Sequence, residues 1–313
     1  DCARPKCRTI LRSFSGSAVS SGSAFPEGFE GFWQMEDVSL LLGNAQHKGK
    51  RREQQDSFAI SDVSDAIFVE KGGILAVLAD GMGGMSLGRE ASALAVETML
   101  ESYAAKEDSE SVDEALMRSL SRANMAVVEL ARKHDLEGSV GTTMIAAVIF
   151  RGGLYWISVG DSRIYLCRDG RLIQLTADHT YASELYEEAS IGEISWNDAL
   201  LHPQKGALTS FLGMERIPIV DRNAQPLSLR YDDRVLLCSD GLYRGLLSEE
   251  IVEEMRLSPR EAAERLVLRV LAKDLPHQDN VTAIVLAPME LSFAYYEVER
   301  PVGGMSHVVG EVR

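Results

Sequence analysis

The 313-residue chain lacks any apolar run long enough to cross a bilayer. Its longest clean runs are ILAVLA (74–79) and MIAAVIF (144–150), far short of the roughly 18–20 residues that a spanning helix needs. Nothing near the start has the apolar heart of a secretory signal, so a cytoplasmic location is expected. Asp1 rather than Met stands first, an opening expected where an upstream piece is missing. Cysteine is sparse: Cys2, Cys7, Cys167 and Cys238 form no C-x-x-C pair. That excludes a disulfide scaffold, and Cys167 and Cys238, each inside an apolar run, are expected to be buried free thiols of a reducing compartment. The six histidines show no H-E-x-x-H or other zinc spacing, which disfavours zinc. Positive charge is short as well, with 32 Lys and Arg against 47 Asp and Glu and a formal net charge of −15. Binders of nucleic acid or anionic membranes present a net basic face, so neither partner is expected.

What is present is an ordinary globular composition. Hydrophobic residues make up 45% and charged residues 25%, enough for a sizeable core, and the length allows one large domain or two small ones. Residues 1–37 are rich in Ser and Gly without any period and read as a flexible leader. Residues 38–290 read as one continuous fold, and 291–313 as a tail. Strands are expected from Val38 onward, then in DSFAISD (56–62), GGILAVLADG (72–81), GTTMIAAVIF (141–150), LYWISVGDS (154–162), RVLLCSDG (234–241) and NVTAIVLAP (280–288). RIYLCRDGRLIQLT (163–176) reads as a hairpin turning at Asp169–Gly170. Apolar residues at three-to-four spacing predict helices over 89–105, 112–134, 182–190, 248–256 and 258–273. Two strand blocks with attendant helices imply an α+β fold, two sheets packed together with helices outside.

The informative feature is where certain carboxylates sit. Asp80 ends ILAVLA, Asp161 ends WISVG, Asp240 ends VLLCS, Asp279 precedes NVTAIVL and Asp56 opens DSFAI. A single Asp–Gly at a strand end is ordinarily a turn, and Asp169–Gly170 is read that way. Five such aspartates flanked by buried residues are a different matter, because desolvated carboxylates that converge repel one another. The alternative partner for Asp161 is Arg163, two residues on, as half of an ion pair; no Lys adjoins Asp80 or Asp240. Hard divalent cations take oxygen ligands of this kind, which suits Mg²⁺ or Mn²⁺. Chemistry served by such a site is hydrolysis or transfer at phosphorus. Arg51 or Arg52, just before Asp56, is placed to fork phosphate oxygens, although either alone is ordinarily a solvated surface charge.

In order along the chain, RREQQDS (51–57), LADGMGG (78–84), GTT (141–143), VGDSRIYLCRDGRLIQLTADHT (159–180), LCSDGL (237–242) and DNVT (279–282) resemble the protein phosphatase 2C family of metal-dependent Ser/Thr phosphatases, in its compact bacterial branch. The resemblance spans about 38–288. It implies a four-layer α-β-β-α sandwich with a two-metal centre at one edge, and hydrolysis by direct attack of a metal-bridging hydroxide. By the same resemblance Asp56, Asp80, Asp240 and Asp279 hold the two core Mn²⁺ or Mg²⁺ ions, and Gly81 adds its backbone carbonyl. Asp161 attends a third, weaker ion, Arg51 binds phosphate, and about 181–207 forms a mobile flap. Asp56 and Asp80 are thereby expected to be catalytic together with Arg51. Phosphorylated proteins made by Ser/Thr kinases are the implied partners, met by a monomer.

The chain departs from the family pattern in three places. Gln54 and Gln55 stand where Asn and Glu are usual, and Gln55 can still orient a water. Met82 stands where eukaryotic members carry a proposed acid, and Met donates no proton. Ser210 stands where relatives often have Arg. None of these removes a metal carboxylate, which weighs against a second reading as a binding-only pseudophosphatase. A third, with Gly81, Gly83 and Gly84 as a nucleotide loop, fails because they make neither G-x-G-x-x-G nor a P-loop with its Lys.

Overall fold

A computed structural model of the protein describes residues 42–82 and 87–288. The leader at 1–37, the tail at 291–313, the strand start at Val38, Cys2, Cys7, Gly83 and Gly84 lie outside the described residues.

The chain runs β1 (Leu42–His47), β2 (Asp56–Ile60), α1 (Ala66–Gly72), β3 (Ile74–Met82), α2 (Leu87–Ala104) and α3 (Val112–Lys133). It continues through β4 (Gly141–Thr142), β5 (Met144–Phe150), β6 (Gly153–Val159), β7 (Arg163–Arg168), β8 (Arg171–Gln174), α4 (Tyr181–Ser190) and α5 (Trp196–Leu201). Last come β9 (Asp221–Arg222), β10 (Leu227–Ser228), β11 (Arg234–Cys238), α6 (Asp240–Tyr243), α7 (Ser248–Glu254), α8 (Pro259–Ala272) and β12 (Val281–Leu286). One sheet is ordered β1-β12-β11-β7-β8; the other is ordered β10-β6-β5-β3-β2, with β4 on β3 and β9 on β6. The named pairings are antiparallel.

Side chains alternate faces along a strand, and that period sorts the core into layers. On β3, Leu75, Val77 and Ala79 face outward and pack on α2 and α3 through Ala95, Met99, Leu116 and Leu120. Their neighbours Ala76 and Leu78 face the other way and meet Ile164, Leu166, Val235, Leu237, Ile284 and Leu286 of the opposite sheet. On that sheet's far side, Leu236, Cys238, Ala283 and Val285 pack on Ala262, Leu266 and Val270 of α8. The layers are therefore α-β-β-α, as expected. The hairpin turns where expected: Asp169 and Gly170 both have positive φ, 52° and 71°, the backbone that a two-residue turn of this hand requires.

Several short elements escape a reading by period. Helix α1 has seven residues, starting where Asp65 accepts a hydrogen bond from the Phe68 amide at 3.0 Å. Asp240 does not simply end a strand but is the first residue of α6. The 181–207 segment folds on itself, with Leu185, Ala189 and Ala199 buried together. Its two ends are tied by Tyr181 and Ala182 amides donating to Ala207 and Lys205 carbonyls at 2.9 and 2.8 Å.

Candidate metal centre

The aspartates converge because each sheet delivers them at the same end. Asp56 and Asp80 are direct cross-strand partners in the β2–β3 register. Asp240 follows β11 and Asp279 precedes β12, which are antiparallel neighbours in the other sheet. Asp161 lies in the link from β6 to β7, where the chain passes between sheets.

Local backbone chemistry holds this arrangement. Asp80 is clamped by the two threonines of the GTT motif: its amide donates to Thr143 Oγ1 at 2.9 Å, and its carbonyl accepts from Thr142 Oγ1 at 2.8 Å and the Thr143 amide at 2.9 Å. Gly81 must be glycine, since a Cβ there would stand 2.0 Å from the Gly88 carbonyl oxygen and 2.8 Å from that of Gln55. Asn280 fastens the loop that carries Arg51, accepting from the Gln55 amide at 2.7 Å and donating to the Lys48 and Glu53 carbonyls at 2.9 and 3.0 Å. Asp56 is only 4% exposed, and its Oδ2 accepts from Ser239 Oγ at 2.8 Å and Thr282 Oγ1 at 2.7 Å, both from the opposite sheet.

Electrostatically the cluster is strained. Burial first, and then the charge of Asp279, pushes Asp56 up to about 6 despite its hydroxyl donors. Burial and the charges of Asp56, Asp240, Asp161 and Asp279 hold Asp80 well above the usual carboxylate range. Asp240 is pushed up to about 7, chiefly by burial, with Asp161, Asp279 and Asp56 adding to the push and Arg244 opposing it. Asp161 is raised by burial too.

Arginines answer part of this charge. Arg51, half exposed, places Nη2 2.5 Å from Asp279 Oδ2. Arg244 places Nη1 2.6 Å from Asp240 Oδ2 and Nη2 3.2 Å from Asp161 Oδ2. The Asp161–Arg163 ion pair, the alternative drawn from sequence, does not form. Arg163 instead grips Asp178, at 2.6 Å, and lies 3.6 Å over the ring of Tyr243. Tyr243 in turn donates its hydroxyl to the Asp161 carbonyl at 3.1 Å. Sequence reasoning missed Arg244, although its spacing of four from Asp240 is a helical one; the signal was hidden by reading Asp240 as a strand end. It also missed Asn280, Ser239 and Thr282, which lie inside the quoted motifs but were given no physical role there.

The residues fit a hard divalent cation. Asp56 Oδ1 and Asp240 Oδ1 are buried oxygens without a hydrogen-bond partner, and such atoms are costly unless something positive meets them. The donors are carboxylates of the kind that Mg²⁺ and Mn²⁺ select. Among the described residues no three or more His, Cys, Asp or Glu are gathered closely enough to hold a metal ion between them; Asp56 and Asp80 stand opposite each other, and Asp161, Asp240 and Asp279 stand with arginines. Beside Arg51 a cavity of about 360 Å³ opens, lined also by Lys50, Pro276, His277 and Gln278. Met82 ends β3 opposite Gly141. Ser210 is fully buried and donates to the Ile219 carbonyl at 2.7 Å, a bond internal to the fold.

A family model for protein phosphatase 2C matches residues 45–277. The chain is 35% identical over 217 residues to the serine/threonine phosphatase stp of Listeria monocytogenes, covering 68% of this chain and 83% of that one. It is 37% identical over 221 residues to the serine/threonine protein phosphatase PstP of Mycobacterium tuberculosis, covering 69% of this chain and 41% of the relative. Among solved structures, the catalytic domain of PstP in complex with two manganese ions is similar with a TM-score of 0.61 at 31% identity, over 80% of this chain and 99% of that one.

Proposed function

The chain belongs to the protein phosphatase 2C family, and on that premise we propose that it hydrolyses phosphoserine and phosphothreonine in proteins with divalent cations held by Asp56, Asp80, Asp240 and Asp279. The observation that carries this reading is the pair of buried, unpartnered oxygens on Asp56 and Asp240 within a cluster whose charges oppose one another. When bound, a pair of Mn²⁺ or Mg²⁺ ions supplies a water acid enough to attack near neutral pH and positive charge beside the phosphoryl oxygens. Gly81 lends its backbone carbonyl to the same edge, and Asp161 attends a weaker third ion.

The chain's own residues do the rest. Arg51 offers a planar fork to two phosphate oxygens, and Asp279 keeps that fork aimed along the rim. Attack is direct, with no phosphoenzyme. Cys238, the thiol nearest in sequence to Asp240, is fully buried and pushed up by burial, so it offers no nucleophile. Met82 has no proton to give, so the leaving serine or threonine oxygen takes its proton from a water or from another group. The 181–207 flap, tied at both ends, screens substrates beside the site.

The protein acts in the cytoplasm as a monomer on the products of Ser/Thr kinases. Free buried thiols at Cys167 and Cys238 and a net charge of −15 support a reducing, soluble setting. Among the described residues no helix is long and apolar enough to cross a membrane. The test is hydrolysis of a small aryl phosphate by purified protein with and without Mn²⁺, followed by a phosphopeptide panel. Cation-dependent release from both is the expected result, and release indifferent to a chelator overturns the reading.

A further inference from the structure

Two arginines stand beside Asp161, and they are held very differently. Arg163 is locked: its side chain is 23% exposed, it is chelated by Asp178, and it is stacked on Tyr243. Arg244 is 55% exposed and reaches in from solvent, with its guanidinium spanning Asp240 and Asp161 at 2.6 and 3.2 Å. Both of those carboxylates are nearly buried, at 11% and 9% side-chain exposure. Tyr243 also reaches Asp161 Oδ2, at 3.3 Å, so this oxygen keeps a donor if the arginine withdraws.

We propose that Arg244 is a resident counter-ion that occupies Oδ2 of Asp161 and Oδ2 of Asp240 and must swing out before a divalent cation binds at Asp161. The inference rests on the proposed function and adds to it a residue that sets the cation threshold. A guanidinium and a divalent cation want the same carboxylate oxygens and repel each other within a few ångströms. The side chain is long, about half in water and held at its tip by the two carboxylates, so withdrawal is open to it, whereas Arg163 is pinned between Asp178 and Tyr243. Binding at Asp161 therefore carries the cost of breaking two charge-assisted contacts. The protein would respond to divalent cation at higher concentration than its carboxylates alone dictate.

The test is calorimetric titration with Mn²⁺ of the wild type, R244Q, D161N and the double variant, with thermal melting in chelator alongside. R244Q should tighten the weakest Mn²⁺ site about ten-fold or more, that gain should vanish when D161N is also present, and R244K, with one point charge for two oxygens, should fall between. Metal-free R244Q should melt lower than wild type, and Mn²⁺ should raise its melting temperature by a larger step. An unchanged or weakened site in R244Q, or a gain that survives D161N, overturns the counter-ion role. No Mn²⁺ heat from the wild type at any site overturns the proposed function itself, and this inference with it.

Discussion

The two sheets bring aspartates to the same edge but treat them in opposite ways. Asp56 and Asp80, from β2 and β3, face each other across one register; the Asp56 carboxylate accepts from two hydroxyls, and Thr142 and Thr143 hold the backbone of Asp80. Asp240 and Asp279, flanking β11 and β12, each have an arginine, and Asp161 shares one of them. Among the described residues no cation meets the first pair, so under the proposed function it leans most on a bound metal ion. The second group is already part-neutralised by arginine and, under the same proposal, leans on a metal ion less. Loss of a carboxylate should therefore do different things on the two sides.

The largest effect is expected at Asp80. Asp80→Asn should abolish cation-dependent phosphate release while leaving the metal-free protein as stable as before or more so, because one of several mutually repelling charges is gone. Release assays and thermal melting in chelator check both halves, and a variant that keeps most of its turnover breaks the comparison. On the arginine-paired side, Asp161→Ala should leave the two core ions bound and cut turnover about ten-fold or more at every Mn²⁺ concentration. If the residue serves only its contacts with Arg244 and Tyr243, melting temperature falls instead and turnover per folded molecule stays normal.

Arg51→Ala should act on substrate more than on metal. Loss of a charge-assisted phosphate contact worth ~1.5–3 kcal/mol raises KM about 10- to 100-fold with kcat less affected. Calorimetry should find Mn²⁺ binding little changed; a collapse of affinity would make Arg51 a structural partner of Asp279 and nothing more. The mildest effect is on stability against pH. Asp56 at about 6 and Asp240 at about 7 lie above the roughly 3.9 of an unfolded aspartate. The folded state thus keeps protons that the unfolded state gives up. Their contribution is full below about pH 4 and lost as pH rises through 6 to 7. Chelated protein should melt progressively lower from pH 5 to 8, and Mn²⁺ should restore most at the upper end. A flat chelated profile would show the two aspartates to be less coupled than their surroundings dictate.

The sequence carried the layers well because period and layer are the same fact. The apolar run of β3 is buried on both faces, and the long helices α2 and α3 repeat their apolar residues every three to four positions. The aspartates were legible for a related reason, since a carboxylate at the end of a buried strand is a local anomaly. Arg244 was not, because its contact with Asp161 joins residues 83 apart and depends on a four-residue helix too short to show a period. Asn280 was hidden likewise: its role is to hold a loop more than 220 positions away. The threonines of GTT could be recognised as a pattern, but only the fold shows that they grip the backbone of Asp80.

The hydroxyls on Asp56 have one more consequence. Asp56 belongs to one sheet, and Ser239 and Thr282 reach it from the other, so the reaction edge is also a seam across which the two halves of the sandwich could slide. A cation gripped from both sides would act as a rivet through that seam. Shear resistance and catalytic competence would then rise and fall together, and backbone amides of β2 and β12 would exchange with solvent most freely when the rivet is out.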